Sequence, residues 1–358
     1  MIGRPEPGRF TGGEKSMFQW RWMSLIVAAA ALAGSGDNAN AQTVLKYNNW
    51  LPPQHNQLVL AMRPWAAEVE KATNGRVKIE FPPASLGAPP RQYDLAFEGI
   101  ADIVTAVHGY TPGRFKLPGI AELPFVGDTA VQRSVAYWRV HEKYLAKAGE
   151  HKGVVVLAVF THGPGTIMSR EPLTTTDAFK GRKMRVGGGI IDKINPALGG
   201  VNVAAPATEV HDILSKGVAD GVFFPSEAFK VFKLDGSVKA QTIVPGGLYS
   251  SAWVIAMNKA SYDKLPDQDK KALMSVSGEH LVRIHARAWD QADKEGIEAM
   301  QKAGVKRVNA DRKFLDDIKA KTTFLEQEWL KDAAAAGIDG PAALKMFSDE
   351  IKKLKATN

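Results

Sequence analysis

"APPRQYDLAFEGIADIVTA" (88–106) and "APATEVHDILSKGVADGVFF" (205–224) are two versions of one unit. Asp94, Gly99, Ala101, Asp102 and Val104 match Asp212, Gly217, Ala219, Asp220 and Val222 at a constant offset. Each copy reads as a short helix, a glycine stop and then a strand. A further short strand lies upstream of each, "RVKIEF" from Arg76 and "RKMRV" from Arg182. Strand–helix–strand units that occur twice predict two α/β domains built on parallel sheets. Asp102 and Asp220 hold symmetric places at strand starts. That marks them as structural turn residues rather than a catalytic pair.

The rest of the chain continues the alternation. "TVLKYNNW" from Thr43 predicts a first strand. A helix follows with Leu58, Met62, Trp65 and Val69 on one face and Gly75 as its stop; Pro64 should kink it or mark a late start. The apolar run 153–160 predicts a strand buried on both faces, and 251–259 predicts another. From Pro266 to about Ala303 one unbroken helical pattern runs to Gly304, long enough to act as a strut between two domains. Two more helices close the chain.

The 358 residues contain no cysteine, which excludes disulfides, thiolate metal sites and cysteine nucleophiles. The formal charge is +8, but Lys and Arg occur only in short groups, so no nucleic-acid partner is expected. At the N-terminus, Arg21 precedes "SLIVAAAALAG" and then "ANAQ" at 39–42. A basic flank, a short apolar run and a small-x-small site predict that 1–41 is an N-terminal extension (1–16) and an export signal cleaved after Ala41. The run is far shorter than the ~20 residues of a bilayer span. Met17 stands where such a signal should begin.

Enzyme signatures are absent: there is no G-x-S-x-G, no Walker loop, no G-x-G-x-x-G after the first strand and no His-Glu-x-x-His. No catalytic residue, cofactor or metal is expected. What the chain offers is a set of polar and aromatic groups where strands end, the crevice in which open α/β sheets bind ligands. Trp50 ends the first strand; His108 and Tyr110 follow the Asp102 strand; His162 follows the 153–160 strand; Phe223, Phe224 and Glu227 follow Asp220; Trp253 opens a late strand. In "KGRKMRVGGG" (180–189), strand alternation puts Arg185 opposite Met184 and Val186, just before three glycines. A surface arginine on an edge strand would explain it. So would an anion site, and the surrounding aromatic and polar groups favour the second. Alternation also means that Phe223 and Phe224 do not both face a cleft.

Together these segments resemble the periplasmic solute-binding proteins of TRAP (tripartite ATP-independent periplasmic) transporters, the DctP-like family, over about 43–352. The resemblance is carried by "AAEVEKATNGRVKIEFPPASLG" (66–87), "FEGIADIV" (97–104), "LPFVGD" (123–128), "TTDAFKGRKMRV" (175–186), "ALGGVNVAAPATEVHDILSKGVADG" (197–221) and "VIAMNKASYDKLP" (254–266). It implies a Venus-flytrap body: two α/β domains with a cleft between them, joined by crossing strands and a long helix. The expected limits are 42–165 plus about 246–290 for the first domain and 166–245 plus about 291–358 for the second. It also implies a periplasmic monomer that hands a small solute to membrane permease subunits.

In that family the arginine of the K-[IM]-R-V strand, here Arg185, holds the ligand carboxylate. A guanidinium fork matches a carboxylate bidentately. Many members carry a second arginine after the 153–160 strand, where this chain reads "THGPGTIM", and an asparagine where it has Phe224. Both departures predict an aromatic or otherwise apolar monocarboxylate in place of a dicarboxylate or sugar acid. A small amine paired to Glu227 or Glu209 is the alternative solute. A secreted hydrolase or lyase on the same body is a third possibility.

Overall fold

The duplicated unit is visible at atomic detail. The computed structural model describes residues 1–8 and 42–356, so the export signal expected over 1–41 falls largely outside the described residues. The chain divides into two units, Met1–Gln42 and Thr43–Asn358. All strands below belong to the second.

In the first copy, helix α2 (Gln92–Phe97) ends at Gly99 (φ 75°) and strand β3 (Ile103–Val107) follows. In the second, α4 (Val210–Ser215) ends at Gly217 (φ 68°) and β8 (Gly221–Phe224) follows. Only a residue without a Cβ adopts that left-handed turn at no steric cost. The two aspartates do the same work. Asp102 Oδ2 accepts the Lys46 amide at 2.7 Å and Asp220 Oδ2 accepts the Lys183 amide at 2.8 Å. Each pins the start of its strand to the parallel neighbour, which explains why an acidic residue stands there.

Five strands form one sheet in the order β2–β1–β3–β10–β4 and six form the other, β11–β9–β5–β8–β6–β7. The first comprises β1 (Thr43–Asn48), β2 (Val77–Glu80), β3, β4 (Val154–Thr161) and β10 (Ala252–Asn258). The second comprises β5 (Thr166–Ser169), β6 (Lys183–Val186), β7 (Val201–Ala204), β8, β9 (Ala240–Ile243) and β11 (Lys306–Asn309). The sheets are mixed, which corrects the expectation of parallel ones. β10 runs antiparallel to β3 and β4, and β5 antiparallel to β8 and β9. The cause is the crossover: β4 leads directly into β5 of the other sheet and β9 returns into β10, so each crossing strand enters its sheet reversed.

Arg133 ties the second crossing to the segment that precedes its own helix. It lies on α3 (Ala130–Val140), fully buried, and donates to Gly127 O at 3.0 Å and Gly246 O at 2.5 Å. Burial away from any ion pair among the described residues pulls its pKa down to about 9.

Helix α1 (Arg63–Ala72) starts late, as Pro64 requires, behind a π-helical turn at Gln57–Met62. The single long helix expected from Pro266 to Ala303 is broken. A short helix, Asp267–Ser275, ends before Gly278 (φ 61°), and α5 runs Glu279–Lys302. The Gly278 amide donates to Leu157 O on β4 at 2.8 Å, so tertiary pairing interrupts a periodicity that continues across the break. No helix of the described residues is long and apolar enough to cross a membrane.

Candidate functional site

The carboxyl ends of the parallel strands of both sheets meet around one narrow cavity. Trp50, Tyr110, His162, Arg185, Phe224, Glu227 and Trp253 line it, so the structure brings these sequence-selected residues together. His55, Tyr249, Ser251 and Trp289 also line it and were missed. A wider groove opens to solvent between 108–122, 189–193 and 325–332. Its cations, Lys116, Lys193 and Lys331, are all exposed. The Arg185 cavity, with a buried charge and enclosing aromatic walls, is therefore the stronger site.

Arg185 projects from β6 on the face opposite Met184 and Val186, which pack into the apolar core of the second sheet. Only 1% of it is exposed. Its Nε and Nη2 both donate to Ala205 O, at 3.0 and 2.6 Å, and its guanidinium carbon lies 4.4 Å from the centre of the Phe224 ring. Among the described residues no carboxylate is ion-paired to it. Gly187 keeps the approach open, since a Cβ there would lie 3.3–3.5 Å from the guanidinium. A buried, unpaired charge is expensive unless something compensates it. An anion supplies the compensation, and the planar fork favours a carboxylate.

The walls are aromatic. Trp50 and Trp253 stack at 5.6 Å with planes 5° apart. Trp253 in turn contacts Trp289 of α5 at 5.5 Å, and Tyr110 closes on Trp50 at 6.1 Å. Trp50 Nε1 is occupied by Thr105 O at 3.0 Å, so its ring serves as a surface. The Tyr110 hydroxyl accepts the Ala207 amide at 2.9 Å and thereby ties the first sheet's loop to the second's. Glu122 makes a similar tie: its two oxygens accept the Ala252 and Ile190 amides at 2.9 and 2.8 Å. Burial pushes Glu122 up to about 7.

Three sequence-selected residues behave otherwise than expected. His108 points away from the cavity into a cluster with His151 (Nε2 to Nε2, 2.8 Å) and Phe115. It falls in the 3₁₀ turn after β3, where strand alternation no longer sets direction. Phe223 faces the second core, 6.1 Å from Phe179, because its neighbour Phe224 takes the cavity side. His162 lines the cavity, but both ring nitrogens are engaged. Nε2 accepts the Ser251 amide at 2.9 Å, which places the proton on Nδ1, 2.6 Å from Gly163 O. Burial lowers its pKa to about 3, so it stays neutral. His162 thus fixes the crossing segments rather than a solute hydroxyl. Among the described residues no group of three or more His, Asp or Glu gathers to hold a metal.

The missed residues carry no local signal. Trp289 sits in a helix whose apolar face reads as core, and Tyr249 and Ser251 lie in the 244–251 connection between sheets. Only the folded crossing brings them to the cleft.

Comparisons with known proteins agree with this architecture. The model of the family described as DctP, bacterial extracellular solute-binding protein, family 7, matches residues 48–332. The outer membrane transporter protein TsaT of Comamonas testosteroni is 34% identical over 90% of this chain and 94% of its own length. A TRAP periplasmic solute-binding protein from Bordetella bronchiseptica, solved with (R)- and (S)-mandelate, superposes with a TM-score of 0.85. It is 42% identical and covers 87% of this chain and 99% of its own. A marine-metagenome TRAP solute-binding protein specific for aromatic acids, solved with 3-hydroxybenzoate, gives a TM-score of 0.81 at 35% identity, covering 87% and 98%. With two mixed sheets exchanging strands around an arginine-bearing cavity, the chain belongs to the DctP family of TRAP transporter solute-binding proteins.

Proposed function

We propose that this chain captures a small monocarboxylate with an aromatic body and delivers it to the membrane permease subunits of a TRAP transporter. It does so in the periplasm, as a monomer and without chemical turnover. One observation carries the reading: Arg185 is buried, has no counter-ion among the described residues and lies on Phe224 inside a cavity walled by tryptophan. It is the one Lys or Arg among the described residues lining that cavity, so a second carboxylate would be buried unpaired. The aromatic acids bound by similar proteins support the same solute class.

An amine has less support. Glu227 does face the cavity, but burial, followed by the nearby Asp293, raises its pKa well above the usual carboxylate range and favours the neutral form. We assign the two domains to 42–165 plus about 246–290 and 166–245 plus about 291–358, hinged at the two crossings. A thermal-shift screen of aromatic acids, aliphatic dicarboxylates and amines tests the solute class. Stabilisation by aromatic monocarboxylates is expected; stabilisation by amines alone would overturn it.

A further inference from the structure

Away from Arg185, the cavity wall holds polar atoms that nothing in the fold satisfies. His55 precedes the π-helical turn, and its Nδ1 accepts the Gln57 amide at 3.1 Å. The ring proton is therefore on Nε2. That nitrogen faces Glu227 Oε2 at 3.6 Å, too far for a hydrogen bond. Neither atom has a partner among the described residues, and the same holds for the indole nitrogens of Trp253 and Trp289. The Trp289 ring meets His55 edge-on at 5.3 Å. All four side chains line the cavity and are buried, with exposures of 1% (His55), 2% (Glu227), 5% (Trp253) and 2% (Trp289).

Buried polar atoms are normally paired, and leaving one unpaired carries a real cost. Four in one cavity wall describe a receptor for a ligand group. Charge decides which group. Burial lowers His55 to about 4, and burial followed by Asp293 raises Glu227 well above the usual carboxylate range, so the surroundings disfavour charge on both side chains. An ammonium finds no anion there and a second carboxylate finds no cation. A hydroxyl fits: it accepts from His55 Nε2–H or an indole N–H and exchanges a hydrogen bond with the Glu227 carboxyl whichever oxygen carries the proton.

We propose that His55 and Glu227, flanked by Trp289, form a hydroxyl-reading subsite, so that the solute is a hydroxylated aromatic monocarboxylate. The assignment rests on the carboxylate anchor at Arg185 and adds the residues that select among aromatic acids. A site built to bond a hydroxyl rejects the analogue that lacks it, because its own polar atoms then stay unpaired.

Calorimetry on the chain from Gln42 onward, with benzoate, its three monohydroxy isomers, phenylacetate and mandelate, tests this. At least one hydroxylated acid should bind about 10- to 100-fold more tightly than its parent. Glu227→Leu and His55→Phe should each bring that ratio close to one. Glu227→Gln, which keeps a donor and an acceptor, should retain a several-fold preference, and measurable binding of the parent acid shows that a variant is folded. Equal affinity for parent and hydroxylated acids, or a ratio that survives Glu227→Leu, overturns the subsite and leaves the anchor standing. If none of these acids binds, the anchor reading fails and the subsite with it.

Discussion

Arg185 and Phe224 come from adjacent parallel strands and meet face to face, the guanidinium carbon 4.4 Å from the ring centre. The register explains it. Arg185 pairs with Val222, and Phe224, two residues on, shares that face of the sheet. The ring covers one side of the cation and Ala205 O fixes its edge, so the guanidinium is held in place before a ligand arrives. Replacing Arg185 by Lys keeps the charge and loses the fork. The loss of one bidentate charged contact is about 2–4 kcal/mol, or about 30- to 1000-fold in affinity for an aromatic acid. Calorimetry on Arg185→Lys checks this; parental affinity would remove Arg185 as the anchor.

Much of this arrangement is legible in the amino-acid sequence. The Asp-x₄-Gly-x-Ala-Asp pattern locates both helix–strand units, and alternation sets Arg185 opposite Met184 and Val186 and allows only one of Phe223 and Phe224 to face the cleft. What is not legible is long-range. Nothing local to 252–258 or 166–169 reports that these strands run antiparallel, because direction is set by the crossing and not by periodicity. The pattern through 266–303 continues across Gly278, where the positive φ and the bond to Leu157 O separate two helices. Trp289 and His55 reach the cavity from helix α5 and an irregular turn, where core and site aromatics share one spacing.

The export signal can be checked directly. Strand β1 begins at Thr43, immediately after the expected cleavage at Ala41. Mass spectrometry of periplasmic protein should find a mature N-terminus at or next to Gln42. An N-terminus at Met1 or Met17 would sink the assignment.

Stability should pass through a maximum between about pH 6 and 7. Burial lowers the pKa of His108, His162 and His285 to about 3 and of His55 and His141 to about 4, and pulls His151 well down. These six groups stay neutral in the fold but take protons in the unfolded chain below their ordinary 6.5. Their contribution is complete above that pH and is lost as pH falls. Glu122 and Asp293 (up to about 7), Asp290 (up to about 6) and Glu227 (raised) act oppositely. They keep protons in the fold that the unfolded chain releases near pH 4, so their contribution declines as pH rises towards 7. Three more carboxyls, Glu142, Glu150 and Asp192, are raised in the same sense and offset part of the histidine loss below pH 6, which leaves a shallow acid limb. Above about pH 7 the histidines are mostly neutral in both states, the carboxylates dominate and stability falls again. Urea unfolding from pH 4.5 to 8 checks the shape; a steady rise from pH 6 to 8 would contradict it.

The last prediction separates closure from folding. Gly109, in the loop after β3, packs directly on the backbone of Gly188 and Gly189, which follow β6 of the other sheet. A Cβ on Gly109 would lie 2.7 Å from Gly188 C and 2.8 Å from Gly189 N, closer than backbone can yield without the two sheets moving apart. The glycine is not in the left-handed region, so alanine introduces no conformational strain of its own. Arg185 and the walls at Trp50 and Trp253 lie on opposite sides of this contact. If the solute is held by closure of one sheet on the other, Gly109→Ala strains only the closed form. Overpacking of this kind costs about 1–3 kcal/mol, so affinity for the aromatic acid should drop about 5- to 150-fold. The unfolding free energy without solute should change by less than about 0.5 kcal/mol, because the open form has no such contact. Small-angle scattering should show the radius of gyration of the parent shrinking on saturation and that of Gly109→Ala shrinking less. Unchanged affinity in Gly109→Ala, or a profile that does not respond to a solute proven to bind, would show that the cavity fills without closure.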